Sequence, residues 1–338
     1  MKKNFTNMTL KELEIFFENI GEKKFRAKQV FKWIHTGVRS FEEMTDLSKQ
    51  LREKLEEVAE VGCLKMSIIQ TSETDHTKKF LFELVDGNSI ETVFMKYKFG
   101  NSICVSSQAG CRMGCAFCAS GIGGLKRNLT GGEMLDQILL VEKNVEEKIS
   151  NVVVMGTGEP FDNYHNLSQF IELINAKDGL NIGMRNITVS TCGIVPMIGQ
   201  FGRDFPQVNL AISLHAPNDE IRKKIMPVNS SYPMDTLLNA CKIHVEKTGR
   251  RITFEYALIK GINDSLSNAD MLSDRLRGTL CHVNLITLNK VNESGFTGSD
   301  RESAERFKKQ LEKRGIPTTI RRELGTEISA ACGQLRLL

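Results

Sequence analysis

At 338 residues the chain is too long for one minimal domain, and one large domain with a small appendage is expected. Hydrophobic residues at 41% and charged residues at 25% suit an ordinary globular protein, and no run approaches the ~18 consecutive apolar residues of a membrane span. A formal net charge of +4 permits a nucleic-acid partner without demanding one, while nine cysteines, an odd number, point away from a disulfide framework and toward thiols that carry metal or chemistry.

The chain starts basic but turns polar and acidic at once, without the apolar stretch of a secretory signal, so a cytoplasmic location is expected. Thr9 caps a first helix with Glu12 in the capping-box position, followed by Leu13, Phe16, Phe17 and Ile20 at helical spacing. A second helix is expected over 25–35 and a third over 48–58, giving a helical unit at 1–60. The period then changes to two. Residues 79–84, a turn at Asp86-Gly87 and residues 89–95 describe a β-hairpin within a linker region at 61–96. From 97 to 338 short apolar strands (102–106, 151–155, 186–190, 208–214, 252–258, 281–286) alternate with helical stretches such as 132–148, 235–247 and 300–314. Six βα units in sequence predict an α/β fold with a parallel partial barrel; a doubly wound sheet is the competitor, because alternation alone does not decide closure.

The densest chemical signal follows the first of these strands. Cys111-Arg112-Met113-Gly114-Cys115-Ala116-Phe117-Cys118 places three thiols within eight residues. Four cysteines would close a cluster or a structural zinc site, whereas three leave one position of a cubane open. The C-x3-C-x2-C spacing, with an aromatic before the last cysteine, is the radical-SAM signature. It predicts a [4Fe–4S] cluster on Cys111, Cys115 and Cys118, with S-adenosylmethionine at the open iron. A zinc knuckle completed by Cys104 or a histidine, in an RNA-binding module, is the competing reading.

Gly156-Thr157-Gly158-Glu159-Pro160 follows the second strand. Its glycines let backbone approach a ligand, and Glu159 can accept from the ammonium of a methionine moiety. Taken alone, it is a tight turn with a solvated Glu. Ser190, Ser213, His215 and Asn289 stand at or just past later strand ends, the rim where barrel active sites gather, and together describe one wall of a cofactor pocket. Near the C-terminus, Cys332 lies between Ala330-Ala331 and Gly333, in an accessible context with Arg321, Arg322 and Arg336 nearby, and can act as a nucleophile. Cys63, Cys192, Cys241 and Cys281 read as small buried hydrophobes. Three basic groups, Arg112 with Lys126 and Arg127, Arg222 to Lys224, and Arg250 with Arg251, are either phosphate contacts or solvated faces.

With these pieces together the chain resembles the RlmN/Cfr family of radical-SAM RNA methyltransferases over nearly its whole length. The resemblance runs through Ile90-Glu91-Thr92-Val93, Cys104-Val105-Ser106-Ser107-Gln108, the glycine turn, Val189-Ser190-Thr191, Ser213-Leu214-His215-Ala216, Met226-Pro227, His282-Val283-Asn284-Leu285-Ile286 and the segment around Cys332. It implies a small helical, RNA-binding N-terminal domain and a partial (βα)6 barrel. It also implies methylation of adenine C2 in 23S rRNA and in a subset of tRNAs. The C8-methylating members are the alternative; Glu159-Pro160 follows the C2 pattern, where C8 members read Glu-Ala, and Thr157 stands where C2 members often have Met or Ile. The resemblance assigns S-adenosylmethionine contacts to Gly158, Glu159, Ser190, Ser213, Leu214, His215 and Asn289. In the implied reaction, Cys332 is first methylated, and hydrogen removal from that methyl leaves a methylene radical that adds to the adenine. Glu91 then takes the C2 proton, and Cys104 attacks the Cys332 sulfur to release product as a disulfide forms. A monomer served by a flavodoxin-like or ferredoxin-like electron donor is expected.

Overall fold

The computed structural model describes residues 2–289 and 295–335. Local signals set the first helices. The Thr9 hydroxyl accepts from the Glu12 amide and Glu12 reaches back to the Thr9 amide, opening α1 (Leu10–Asn19). α2 (Lys24–Ile34) follows, and the Ser48 hydroxyl caps α3 (Lys49–Val58). Their apolar sides, including Leu13, Phe17, Phe31 and Leu55, close around Phe5 and Phe41.

A ten-stranded sheet follows. Its strands are β1 (Leu64–Thr71), β2 (Lys78–Leu84), β3 (Ser89–Tyr97), β4 (Gly100–Cys104), β5 (Asn151–Val154), β6 (Ile187–Thr191), β7 (Asn209–Ser213), β8 (Ile252–Leu258), β9 (Cys281–Thr287) and β10 (Thr318–Ile320). Every strand lies beside its neighbour in sequence. β1 to β4 form an antiparallel meander, and β4 through β10 run parallel. A doubly wound sheet requires the strand order to reverse at a switch point. Here it never reverses, which excludes that competitor. β1 and β10 are the two edges of the sheet, so the barrel is open.

The helices α4 (Gly131–Val145), α5 (Tyr164–Asn175), α6 (Val195–Asp204), α7 (Asp219–Ile225), α8 (Met234–Thr248), α9 (Leu266–Leu276) and α10 (Arg301–Lys313) connect the parallel strands. The expected hairpin is β2–β3, hydrogen-bonded directly into the barrel sheet through β4. Two strands have no counterpart in the sequence reading. β1 lacks clean alternation: Ile68 and Ile69 are both 40% exposed, and its register shifts between Met66 and Ile68. β10 is three residues long, too short for a period to register.

The N-terminal helices do not stand apart. The carboxylate of Asp136, buried on α4, accepts from Arg39 Nη1 at 2.6 Å and from the Cys63 and Leu64 amides at 2.8 Å. Asn7 Oδ1 accepts from the Gly132 amide at 2.7 Å at the start of the same helix. One apolar core runs from Phe5 through the barrel to Ile316.

Candidate active site at the carboxyl rim of the barrel

The three-cysteine loop leaves the sheet just after β4. Gln108–Gly110 pairs antiparallel with Leu125–Asn128, so residues 111–124 form a loop pinned at its base. Gly110 is required there: its φ is +75° and a Cβ would lie 2.0 Å from the Gly124 carbonyl oxygen. The Ala116 amide donates to the Ile225 carbonyl at 2.9 Å, hanging the loop from the end of α7. Cys111, Cys115 and Cys118 all line one cavity, with Phe117, Gly156, Gly158, Glu159, Ser190, Ser213 and His215 around it. All three are free thiols. Burial pushes each of them up, Cys111 to about 11, and the neighbouring thiols add to the effect.

Glu159 is buried on this wall. Oε2 accepts from the Cys192 amide at 2.7 Å and Oε1 from the Phe161 amide at 3.0 Å. Burial raises its carboxyl above the usual range, against the pull of these amides. A carboxylate in such a place is favoured by a cation from a ligand. The solvated-turn reading of Glu159 is thereby excluded. The glycines of its turn also serve the fold. A Cβ on Gly156 would meet Ser106 Oγ at 2.7 Å, and one on Gly158 would meet Gln108 Cβ at 2.6 Å. They let the turn pack on the chain entering the cysteine loop, and Gly158 also borders the cavity.

Ser190, next to last in β6, and Ser213, last in β7, have their hydroxyl oxygens 3.3 Å apart. His215 sits just beyond at φ +55° and accepts from the Ala257 amide at Nδ1, 2.9 Å. That bond places its one proton on Nε2. Burial depresses its pKa to about 3, with Arg222 adding to the effect, so the ring is a neutral donor. Leu214 is different: its side chain is fully buried in the apolar core, and its amide donates to the Glu255 carbonyl at 3.1 Å.

Cys332 lines the same cavity and also a second one, which it shares with Cys104, Asn289 and Arg321. Its segment is tied to the cysteine loop, the Ala119 amide donating to the Gly333 carbonyl at 2.8 Å and Ser120 Oγ to the Leu335 carbonyl at 3.1 Å. Asn289 Nδ2 donates to the Cys332 carbonyl at 3.3 Å, which puts Asn289 on the Cys332 segment and not on the Glu159 wall. Cys104 ends β4, buried, its thiol pushed up to about 12 by burial and then by Cys332. It stands on the Cys332 side of the site, away from a position completing a knuckle with the three-cysteine loop. Among the described residues no three or more His, Cys, Asp or Glu converge on one metal ion.

Glu91 lies on β3, buried in an ion pair with Lys79 Nζ at 3.0 Å. Lys79 also donates to the Ser329 carbonyl at 3.5 Å, so the pair lies against the segment that carries Cys332. Neither cavity is lined by Glu91.

Some site residues were missed from sequence. Cys192 lines the cysteine cavity and its amide holds Glu159, so it is more than a buried hydrophobe. Glu255 also faces the cavity, bonded by Asn284 Nδ2 at 2.9 Å; a lone acid in the apolar strand 252–258 was the available signal. Of the basic groups, Arg112 pairs with Asp162, and Arg127 with Glu133 at 2.7 Å and with Asp86. Lys126, Lys223, Lys224 and Arg251 are exposed, whereas Arg222 is wholly buried, neither phosphate contact nor solvated face. Arg336 lies outside the described residues.

Comparison with known proteins agrees with this arrangement. Residues 3–61 match the family model of the ribosomal RNA large subunit methyltransferase N-terminal domain, and residues 105–269 that of the radical SAM superfamily. A probable dual-specificity RNA methyltransferase RlmN of Thermoanaerobacter sp. (strain X514) is 55% identical over 98% of this chain and 97% of its own. The chain belongs to the RlmN family of radical-SAM RNA methyltransferases. A probable dual-specificity RNA methyltransferase RlmN of Clostridium novyi (strain NT) is 52% identical over 99% of this chain and 98% of its own. The crystal structure of a radical SAM methyltransferase from Sphaerobacter thermophilus superposes with a TM-score of 0.95 at 44% identity, covering 99% of each chain. Members of the RlmN family use a [4Fe–4S] cluster and S-adenosylmethionine, and the donor set fits both: three free thiols on one cavity wall, and a buried carboxylate beside them.

Proposed function

We propose that this protein methylates C2 of adenine in 23S rRNA and in a subset of tRNAs by way of a methyl group carried on Cys332. Cys111, Cys115 and Cys118 would hold the cluster; Glu159, Gly158, Ser190, Ser213 and the Nε2–H of His215 would orient S-adenosylmethionine. Bound together, cluster and S-adenosylmethionine supply the methyl group and the one-electron chemistry that an electron-poor ring carbon requires. The observation that carries the reading is the double position of Cys332, the one described cysteine lining both the cavity of the three thiols and the cavity of Cys104. From there one sulfur can receive a methyl on one side and be attacked on the other.

In this scheme Cys332 bonds covalently to the RNA through its methyl carbon. Glu91 holds the proton lost from C2, with Lys79 at 3.0 Å as the counter-charge that steadies it. Once the adduct has lost that proton and one electron, the latter returned to the reducing system that supplied it, Cys104, as thiolate, attacks the Cys332 sulfur; the electron pair of the sulfur–methylene bond passes to the carbon, which takes up a proton to become the methyl group, and a Cys104–Cys332 disulfide is left for cellular thiols to reduce. A flipped adenine is needed to reach so enclosed a sulfur, and loops with splayed bases offer one. No helix among the described residues is long and apolar enough to cross a membrane. We place the protein in the cytoplasm as a monomer, reduced by a flavodoxin-like or ferredoxin-like donor.

Two measurements test this. Cys104→Ala expressed in cells should run on a denaturing gel as a slow, ribonuclease-sensitive species that disappears in Cys104→Ala/Cys332→Ala; normal turnover by Cys104→Ala would exclude the resolving role. Nucleoside analysis of RNA from a deletion strain, with and without the gene restored, should show 2-methyladenosine only when the gene is present. Restoration of 8-methyladenosine instead would assign the chain to the C8 alternative.

A further inference from the structure

Arg222 is fully buried on α7, and its guanidinium is held by the oxygens of neutral groups. Nε donates to the Leu214 carbonyl at 3.1 Å, Nη1 to Asn229 Oδ1 at 3.0 Å, and Nη2 to the carbonyls of Cys192 at 2.7 Å and Ser213 at 3.3 Å. None of these four partners is a carboxylate. Asp219 is reached through a relay: Asn229 Nδ2 donates to Asp219 Oδ1 at 2.8 Å, and that oxygen also accepts from the Met234 amide at 2.8 Å. A buried guanidinium without a bonded counterion is costly to keep in a fold unless something nearby supplies the missing negative charge.

The three-cysteine loop is the neighbour that can supply it. Cys192, whose carbonyl Arg222 binds, lines the same cavity as Cys115. Three residues beyond Arg222, the Ile225 carbonyl holds the Ala116 amide inside that loop. A cubane on three thiolates carries a net charge of about −1 when oxidised and −2 when reduced, so a fixed cation close by favours the added electron. Guanidinium suits this position because it stays charged when buried, and its planar donors reach four oxygens at once.

We propose that Arg222 is a built-in positive charge beneath the three-cysteine loop that raises the reduction potential of the cluster held there, its strength moderated by Asp219 through Asn229. This rests on the cluster assignment above and adds to it a positioning and tuning residue that does not touch the substrate. Charge alone sets the sign. Removing Arg222 should make the cluster harder to reduce; neutralising Asp219 should make it easier.

The test uses anaerobically reconstituted full-length protein without S-adenosylmethionine or RNA, comparing wild type with Arg222→Gln, Arg222→Lys and Asp219→Asn. Iron per chain and the midpoint of an electron-paramagnetic-resonance redox titration are the readouts. Arg222→Gln should show about tenfold less reduced cluster at a fixed poise, equivalent to about 59 mV for a one-electron couple. Arg222→Lys should stay nearer to wild type, and Asp219→Asn should move upward. A slackened fold would shift both neutral variants the same way, so shifts of one sign, or none in either, overturn the proposal. Should Arg222→Gln fail to load iron, Asp219→Asn decides alone: an upward shift supports the charge, an unchanged midpoint overturns it. A wild-type protein with no reducible cluster would overturn the cluster assignment and this proposal together, a result distinct from an unshifted variant.

Discussion

Burial gives the cysteines of this site different roles. Cys104 is held near 12 by desolvation and by the adjacent Cys332 sulfur, with Arg321 pulling the other way. Below that value its thiolate fraction rises tenfold for each pH unit. Release of RNA from an isolated Cys332 adduct should therefore accelerate about tenfold from pH 7 to pH 8, and Arg321→Met should slow release at both. Quenched single-turnover samples on denaturing gels measure this; a flat profile would remove Cys104 as the attacking group. His215 supplies a second prediction with a defined sign. Its folded pKa of about 3 lies below the ordinary histidine value near 6.5. Between those values the unfolded chain binds the proton and the folded chain does not, so stability is full above pH 6.5 and falls with pH below it. The loss from this group is at most ~1.4 kcal/mol per pH unit. Metal-free His215→Gln should have a melting temperature less sensitive to acid than wild type. Equal acid sensitivity of the two proteins would mean that the ring is not held neutral.

Between elements, the joint of α4 with the N-terminal helices depends on Asp136, which is 1% exposed and ties Arg39 on one side to the start of β1 on the other. Removing Arg39 leaves that carboxylate with its amide bonds but no counter-charge, so Arg39→Met should cost about 3 kcal/mol in a denaturant titration. A change under about 0.5 kcal/mol would class the pair with ordinary surface bridges. This joint was not legible in the sequence, because nothing in the spacing links residues 97 positions apart. What was legible has a local cause. The Thr9 box, the third helix and the parallel strands are written in neighbouring residues, and so is the three-cysteine loop. Misreadings occurred where tertiary context overrides local pattern. Arg222 sits in a basic run yet is swallowed by the ends of β6 and β7, and Cys192, buried as its context suggests, also borders the cavity. The glycines of the 156–160 turn were read as a close approach to a ligand, and a second close approach, to the protein's own chain, was not legible.

At the scale of the whole molecule, the sheet and the helices share one interior. Phe5 and Phe41 of the N-terminal part, Phe80 and Phe82 of the meander, and Phe254 and Phe307 of the barrel belong to one contiguous apolar core. The sheet crosses from meander to barrel without a break, β4 pairing antiparallel with β3 and parallel with β5. A fold divided into separately stable parts would place exposed linkers and few contacts at its boundaries. Here the passage from the helices to the barrel carries a shared core, the Asp136 joint and the Asn7–Gly132 bond. The metal-free chain should consequently unfold in a single cooperative transition, its calorimetric and van't Hoff enthalpies agreeing. Deleting residues 2–61 should expose the apolar surface of α4 and yield an aggregating remainder in place of a smaller stable barrel. Two resolved calorimetric transitions, or a soluble, cooperatively melting fragment of residues 62–338, would mean that the barrel holds without its helical neighbour. The N-terminal helices would then be an RNA-facing attachment, with no structural share in the core.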